Sequence, residues 1–562
     1  MRDSGTTNRG LRAGPAAIAL RLALPLMLSA GLAGCDSGGD DSGGTPVANV
    51  TVAGTVTYQK VPFNANGVGL DYGATFNAPV RGAVVEILPT GSNPAPLVTT
   101  ITDANGAYSA QVGTGRSVFV RVKAQLLRSG TPSWNFRVLN NTNSDALYAI
   151  DSATFTTGSS NITQNLNAAS GWGGTGYTGP RVAAPFSLLD VAYETLNLVL
   201  TANANTQFPP LNIFWSTQNR PTEPFDPDAG TIITTLYLPG TDGGVFVLGL
   251  ANTDTDEYDQ HVIAHELGHY YQDVFSRDDS LGGAHGAGDR LDFRVAFSEG
   301  WGNAFSGMVK NDPLYRDSLG SQQQLGFQID VELNAAVGGN AGWFSEGSVQ
   351  ALVYDFFDSA ADGSDAVALG FPPIHQVMTA DLPDSEPFTS IFAFVTALKT
   401  RNSGSAPAID TLVTQQQIVS ATIDALGSTE TNNGGDTRNL PVYVPINVAD
   451  TVRVCSSTAN GDYNGLGTRK FLRFSLPAQL RLTFRATAVG TTQKDPDMVL
   501  HRDGIVMSSE DDSIGSGIET SDPILLQPGS YVLEVYDFLA IDQEPPPTDG
   551  NTCMDVFVFN TP

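Results

Sequence analysis

The segment "HVIAHELGHYYQDVFSRDDS", residues 261–280, holds three of the six histidines of this 562-residue chain, at intervals of four residues. Residues i and i+4 lie on one face of an α-helix, with Cβ atoms about 5–6 Å apart. His265 and His269 can therefore share one Zn²⁺ ion at nitrogen–metal distances of about 2.0–2.1 Å. Glu266 adjoins the first of them and can act on a zinc-bound water as a base without binding the ion. The alternative is a helix with two surface histidines.

A catalytic zinc site needs a third protein ligand. The metzincin pattern is excluded because Gln272 and Phe275 stand where it requires Gly and His. Downstream, "RVAFSEGWGNAFSGM", residues 294–308, places Glu299 in an apolar, helix-like segment, 30 residues after the second histidine of "HELGH". This combination of "HELGH" and "EGW" resembles the gluzincins, the thermolysin-like zinc peptidases, and among them the fungalysin type. The resemblance is close over 261–310 and loose elsewhere, and it implies that Glu299 is the third ligand.

The segment around Glu299 has further features of a ligand helix. Gly300 and Gly302 each weaken a helix by about 1 kcal/mol relative to alanine, but small residues let two helices approach closely. Asn303 follows Glu299 by one turn, where the gluzincin family usually has Asp. The resemblance implies that Asn303 accepts a hydrogen bond from the ring of His265, without the negative charge that would raise imidazole basicity.

Other residues are weaker candidates for this site. His261 would share the ligand face, but three ligands suffice, so packing or an indirect contact is predicted for it. His285 lies on a Gly-rich loop and could line the cleft, although a loop histidine with no role is the favoured interpretation. Thermolysin-like enzymes add a His or Tyr that stabilises the oxyanion; Tyr354 and His375 are candidates by their order in the chain, with core packing favoured for both. The resemblance also implies that the strand 244–250 is the edge on which an extended substrate pairs.

The amino terminus predicts export. Arginines precede an apolar run, 22–33, of about a dozen residues, which is too short to span a membrane. "LAGC", residues 32–35, resembles the lipobox of bacterial lipoproteins, which implies cleavage before Cys35 and lipid attachment to its thiol. The alternative is an ordinary secretory signal with an incidental cysteine. We therefore expect a signal peptide at 1–34, a flexible tether at 35–48, and a lipid-anchored protein of the bacterial cell envelope that contacts a membrane through its lipid.

The rest of the chain predicts a multidomain protein, with an α+β zincin catalytic domain flanked by N- and C-terminal β-sandwich domains. Short alternating runs over 49–169 resemble a transthyretin-like, carboxypeptidase-regulatory β-sandwich, and Asn105-Gly106 predicts a hairpin within it. Residues 181–427 read as the gluzincin-like peptidase domain, and residues 440–562 resemble a pre-peptidase C-terminal β-sandwich. Helical periodicity marks 184–202, 348–360, 388–399 and 411–426.

The cysteines, the net charge and the acidic loops indicate which cofactors and partners to expect. Cys455 and Cys553 are an even pair in an exported chain and predict a disulfide, with two free thiols as the alternative. The net charge of −29 argues against nucleic acid, whose phosphates need a basic surface. Acidic loops in 440–562 could bind structural Ca²⁺, although solvated turns are the favoured interpretation.

The resemblance implies a zinc metalloendopeptidase that acts on proteins or peptides, and we expect the protein to be a monomer. A zinc-activated water would attack the peptide carbonyl, with Glu266 as general base. An alternative from another class is a surface adhesin with an inactive or secondary zincin domain, against which the intact ligand set and base count. A third possibility keeps zinc chemistry for an ester or an aminopeptidase substrate, but the chain has nothing like the amine-recognition motif of gluzincin aminopeptidases.

Overall fold

A computed structural model describes residues 48–65, 67–333, 340–359, 365–490, 494–510, 516–541 and 550–561. The predicted signal peptide, the predicted lipidation site Cys35 and almost all of the predicted tether lie outside these residues. None of the helices in the described ranges is both long and apolar enough to cross a membrane.

The amino-terminal part of the described chain is β-rich, and in its long strand Ser117–Arg128 buried side chains alternate with partly exposed ones. The strands are β1 (Asn49–Lys60), β2 (Phe76–Pro79), β3 (Ala83–Pro89), β4 (Val98–Ile101), β5 (Ala107–Gly113), β6 (Ser117–Arg128), β7 (Trp134–Asn140), β8 (Ala146–Leu147), β9 (Ala149–Asp151), β10 (Phe155–Thr156), β11 (Ile162–Thr163) and β12 (Leu166–Ala168). Strand β1 forms a five-stranded sheet with β2, β5, β11 and β12.

The hairpin predicted at Asn105-Gly106 is wrong. Strand β4 pairs with β3, whereas β5 pairs with β1, so the two strands that flank this turn belong to different sheets. Of the pair, Gly106 alone has a positive φ, of 75°, and a type I′ hairpin turn needs two. The Asp103 side chain accepts hydrogen bonds from the N–H groups of Asn105 and Ala107. The turn therefore carries the chain from one sheet to the other.

The middle of the chain mixes helices and strands. In chain order it contains α1 (Ala184–Ala202), β13 (Leu211–Trp215), β14 (Leu236–Leu238), β15 (Gly244–Val247), β16 (Gly249–Leu250), β17 (Asp254–Thr255), α2 (Gln260–Phe275), α3 (Phe293–Lys310), β18 (Leu314–Leu319), β19 (Leu325–Asp330), α4 (Glu346–Phe357), α5 (Phe371–Gln376), α6 (Ile391–Arg401) and α7 (Ala406–Gln415). The predicted helix over 411–426 ends early, because Gln417 adopts a left-handed φ of 56°.

One large sheet crosses the predicted boundary between the first two domains. Its strands run in the order β14-β15-β13-β7-β6-β3-β4, with β8, β9 and β10 paired alongside. Strands β7 and β13 are parallel, with Phe136 opposite Leu211, and parallel neighbours need a long crossover connection. Helix α1 lies within that connection and packs into the same hydrophobic core. Residues 49–169 therefore differ from the predicted self-contained β-sandwich, since they share a sheet and a core with the helical part.

The carboxy-terminal part is a β-sandwich, as predicted. Its elements are β20 (Tyr443–Pro445), β21 (Thr451–Ser457), β22 (Arg469–Leu476), β23 (Leu480–Ala488), β24 (Pro496–Arg502), β25 (Ile505–Glu510), β26 (Ile518–Thr520), β27 (Ile524–Leu526), β28 (Gly529–Asp537), α8 (Phe538–Ile541) and β29 (Asn551–Asn560). One five-stranded sheet has the order β20-β22-β28-β24-β25; the other joins β21, β29 and β23, and β23 also pairs with β26 and β27. Both sheets contribute to one separate core.

The predicted disulfide links two neighbouring strands of the second of these sheets. Cys455 on β21 and Cys553 on β29 stand opposite each other in the strand register, and their sulfur atoms are 2.06 Å apart. The described chain as a whole is multi-sheet and mostly β, with its longer helices confined to the middle part.

Candidate metal site

The three predicted ligands meet in the structure. His265 and His269 on α2 face Glu299 on α3. The two imidazole Nε2 atoms are 3.0 Å apart and lie 3.3 and 3.4 Å from Glu299 Oε2. Tetrahedral ligands at bond lengths of about 2.0–2.1 Å stand about 3.3 Å apart. The three side chains thus have the spacing of a three-ligand zinc site.

Glycines let the two helices approach closely enough for this arrangement. A Cβ atom at Gly302 would lie 2.8 Å from Cε1 and Nδ1 of His265, and a Cβ at Gly268 would lie 3.2 Å from the Cα of Gly302. The indole N–H of Trp301 donates a hydrogen bond of 3.0 Å to the carbonyl of Gly268 and ties α3 to α2 at this point. The close approach predicted for the glycines of α3 is therefore confirmed at Gly302.

The ends of α3 are set by local hydrogen bonds. The Asp292 side chain accepts from the N–H of Arg294 and so caps the amino terminus. Asn311 ends the helix in the left-handed region, with a φ of 49°. The ligand helix is thus fixed on both sides of Glu299.

Asn303 occupies the position predicted for it. Its Oδ1 lies 2.9 Å from His265 Nδ1, and its Nδ2 donates to Gln350 Oε1 at 2.9 Å. The second bond orients the amide so that its oxygen faces the imidazole. Donation from Nδ1 of His265 leaves the Nε2 lone pair free for a metal ion.

Glu266 is buried beside the ligands and is held by the edge of the large sheet. The backbone N–H of Tyr237, on β14, donates to Glu266 Oε2 at 2.7 Å. Burial raises the pKa of Glu266.

The prediction that 244–250 forms the substrate-binding edge is wrong. Strand β15 is paired on both sides, with β13 and with β14. The edge strand beside Glu266 is β14, and residues 249–250 belong to a separate small sheet with β17, β18 and β19.

The buried charges of the ligand set compensate one another. Burial raises the pKa of Glu299, but the charge of His269 and hydrogen bonds from three imidazoles outweigh it and hold that pKa well below its ordinary value. Burial lowers the pKa of His269, but the negative charge of Glu299 outweighs burial and raises that pKa to about 9. A divalent cation bound here would replace the imidazole protons.

His285 lies beside the predicted ligands, which fits the less favoured interpretation of the sequence, a cleft-lining residue, and not the favoured one, a loop histidine with no role. Its Nε2 lies 3.2 Å from Glu299 Oε2 and its Nδ1 lies 2.8 Å from Glu346 Oε2. Burial lowers the pKa of His285, but the hydrogen bonds to Glu299 and Glu346 outweigh burial and raise that pKa to about 11. The signal in the sequence is a histidine on the Gly-rich loop between the two ligand segments.

The other candidate side chains lie in core contacts. The ring of Tyr354 packs against the second half of α3. His375 Nδ1 is 2.7 Å from the hydroxyl of Tyr271, within a buried aromatic group. His261 Nε2 is 3.1 Å from the carbonyl oxygen of Asp312. The structure therefore agrees with core packing, which was the favoured interpretation for Tyr354 and His375.

A second group of ligand-type side chains lies near the start of α2. Carboxylate oxygens of Asp254, Asp256 and Asp317 are all within 4.8 Å of one another. Burial raises the pKa of each, and that of Asp317 reaches about 7. Oxygen ligands of this kind suit hard cations such as Ca²⁺. No such group of three occurs in the described residues of 440–562, where the calcium prediction was placed, so that prediction stays untested.

Comparisons with known proteins do not assign this chain to a family. No protein-family model and no curated protein matches this chain. Among solved structures, the pre-peptidase C-terminal domain of a collagenase from Bacillus anthracis is 12% identical, with 21% of this chain and 93% of that chain covered and a TM-score of 0.16. The periplasmic lysozyme inhibitor PliG of Aeromonas hydrophila is 14% identical, with 21% and 96% covered and a TM-score of 0.15. A 9R-lipoxygenase from Cyanothece is 10% identical, with 31% and 27% covered and a TM-score of 0.13. These TM-scores are too low to support any conclusion, so the β-sandwich rests on its own strands.

Proposed function

We propose that this protein is a zinc-dependent endopeptidase, with His265, His269 and Glu299 as ligands and Glu266 as general base. The observation that carries the proposal is the convergence of three ligand atoms at 3.0–3.4 Å beside a buried carboxylate that is not one of them. Structural zinc sites are closed by four protein ligands, whereas catalytic sites have three and keep one position for water or substrate.

The residues present fit zinc chemistry. Bound zinc supplies a water molecule with a pKa near 7 and polarises a substrate carbonyl. Glu266 would accept the proton of the attacking water and pass it to the leaving amine. The N–H of Tyr237 fixes the orientation of the Glu266 carboxylate for this transfer.

We assign His285, instead of Tyr354 or His375, as the donor to the substrate oxygen that gains negative charge. Hydrogen-bond donors already positioned at such an oxygen contribute strongly to acyl transfer. The proposal rests on the contact of His285 with Glu299 and on Glu346, which holds the other ring nitrogen.

The proposed substrate is an extended polypeptide. Edge strand β14 lies beside Glu266, and a peptide that adds to a sheet edge gains backbone hydrogen bonds without regard to its sequence. The exported, lipid-anchored location remains part of the proposal and rests on residues 1–35 of the sequence alone.

Unfolded casein provides the direct assay. The zinc-loaded protein should cleave it, and a chelator should stop cleavage. Glu266→Gln should bind zinc as tightly as the wild type and lose about 10²–10⁴-fold in turnover, while His269→Ala should lose both zinc and turnover. Glu223→Gln, an exposed carboxylate on a loop, is the control and should change neither. Unimpaired turnover by Glu266→Gln, or no chelator-sensitive cleavage by the wild type, would refute the proposal.

A further inference from the structure

We infer that the C-terminal β-sandwich is a functional part of the candidate metal site and not a detachable module. Asn464 and Tyr463 of the sandwich are positioning residues for His285. The catalytic consequence rests on the proposed function, whereas the structural consequence can be measured in the metal-free protein.

The segment that carries His285 is a loop whose shape depends in part on contacts with other segments. Residues 276–292 join α2 to α3 without a helix or strand. Gly282, Gly283 and Gly288 within it have positive φ values of 63°, 98° and 96°. A glycine-rich loop has much conformational freedom to lose on folding, so contacts from outside the loop must hold the histidine in place.

The contacts on the backbone just before His285 come from the β-sandwich. Asn464 Nδ2 donates to the carbonyl oxygens of Gly282 and Ala284, at 3.0 and 2.9 Å, and the Tyr463 hydroxyl donates to Leu281 at 3.0 Å. Three carbonyls in the four residues before His285 are thus bound by two side chains of another part of the chain. These bonds fix the backbone of the loop directly before His285.

Backbone hydrogen bonds and close packing extend the attachment. The N–H of Asp292 donates to the carbonyl of Asn464 at 2.7 Å, and the N–H of Leu466 donates to Arg290 at 2.8 Å. A Cβ atom at Gly283 would lie 2.9 Å from the ring of Tyr463 and 3.0 Å from Asn464 Nδ2. The loop therefore lies directly against the sandwich.

The start of the ligand helix is tied to the same sandwich. The buried guanidinium of Arg294, five residues before Glu299, donates to both oxygens of Glu534 on β28 at 3.0 and 3.1 Å. Glu534 also accepts from Arg469 at 2.9 Å, and His501 Nε2 lies 3.1 Å from it. Both the His285 loop and the Glu299 helix are thus anchored on one domain.

Asn464→Asp tests this assignment because it keeps the side-chain shape and removes both donors. Asn551→Asp is the matched control: it makes the same change on an exposed residue of the same sandwich, and its oxygen can still accept from Arg438. In metal-free protein, amide exchange in 276–292 should rise in Asn464→Asp and stay unchanged in Asn551→Asp. In the zinc-loaded protein, kcat should fall about tenfold to a hundredfold with KM within about twofold.

A double-mutant cycle separates positioning from general stability. If Asn464 acts through His285, then His285→Ala combined with Asn464→Asp should be no slower than His285→Ala alone. The inference is overturned if the two substitutions slow turnover independently, so that their effects multiply in the double variant. It is also overturned if amide exchange in the loop is unchanged in Asn464→Asp. If Asn464→Asp does not fold, Tyr463→Phe removes one donor, keeps the ring, and should show the same pattern more weakly. A wild type that shows no zinc-dependent cleavage would refute the proposed function, and the exchange comparison would still decide the positioning.

Discussion

Gly302 faces the ring of His265 so closely that one added methyl group should displace this predicted metal ligand. The Cβ of Gly302→Ala would lie 2.8 Å from Cε1 and Nδ1 of the ring, and ordinary contact begins at 3.4 Å, so the ring must move by about 0.6 Å. Metal–ligand distances in well-formed sites vary by only about 0.2 Å. The same movement would stretch the 2.9 Å bond between His265 Nδ1 and Asn303. Loss of such a supporting contact costs about 10–100-fold in metal affinity, or about 1.4–2.7 kcal/mol.

The same substitution should not unfold the protein. Alanine favours a helix interior over glycine by about 1 kcal/mol, which offsets part of the steric cost. Gly307→Ala is a matched control, because its Cβ on the same helix would also lie 2.8 Å from a ring atom, that of Tyr354, which is not a ligand. Zinc affinity from competition with a chelator, measured beside thermal unfolding of the metal-free proteins, separates the two effects. Gly302→Ala that binds zinc as tightly as Gly307→Ala would refute this account of the site.

Three further changes test the framework around the site. Asp317→Asn should stabilise the metal-free protein, kept in a chelator, at pH 8 and not at pH 4. Burial raises the pKa of Asp317 to about 7 from about 3.9 in unfolded chains, so the folded state binds more protons and loses stability as pH rises between these values; equal thermal stabilities at pH 8 would contradict this. Cys553→Ser should lower the free energy of unfolding by about 4.7 kcal/mol, because the disulfide spans 98 residues, and an unchanged denaturant midpoint would contradict it. Glu534→Gln should cost about 3–5 kcal/mol, because it removes the carboxylate charge that the buried Arg294 and Arg469 share and leaves Arg294 paired with Asp292 alone; denaturant unfolding measures the loss.

Features with a local cause were predictable from the sequence. The four-residue spacing of His265 and His269 predicts their common face, because helix geometry alone sets it. Apolar periodicity predicts α1 over the same residues that the structure has, 184–202. These patterns depend on neighbours within a few turns.

Several features that depend on distant parts of the chain were not predictable. His285 reaches Glu299 because the C-terminal sandwich holds its loop, and no short pattern encodes that contact. The turn at Gly106 looks like a hairpin, but β4 and β5 find different partners. Pairing of β7 with β13 joins regions that are separated by a helix and a linker-like composition, and it places β14 at the sheet edge. Tertiary pairing overrides local preference in each case.

The metal content of the purified protein tests the central claim most directly. After loading with zinc and removal of free ions, elemental analysis should find one tightly held zinc ion per chain in the wild type. Glu299→Ala, shown to be folded by circular dichroism, should hold much less than one. A wild type without zinc, or a folded Glu299→Ala that retains a full equivalent, would contradict the assignment of His265, His269 and Glu299 as a zinc site.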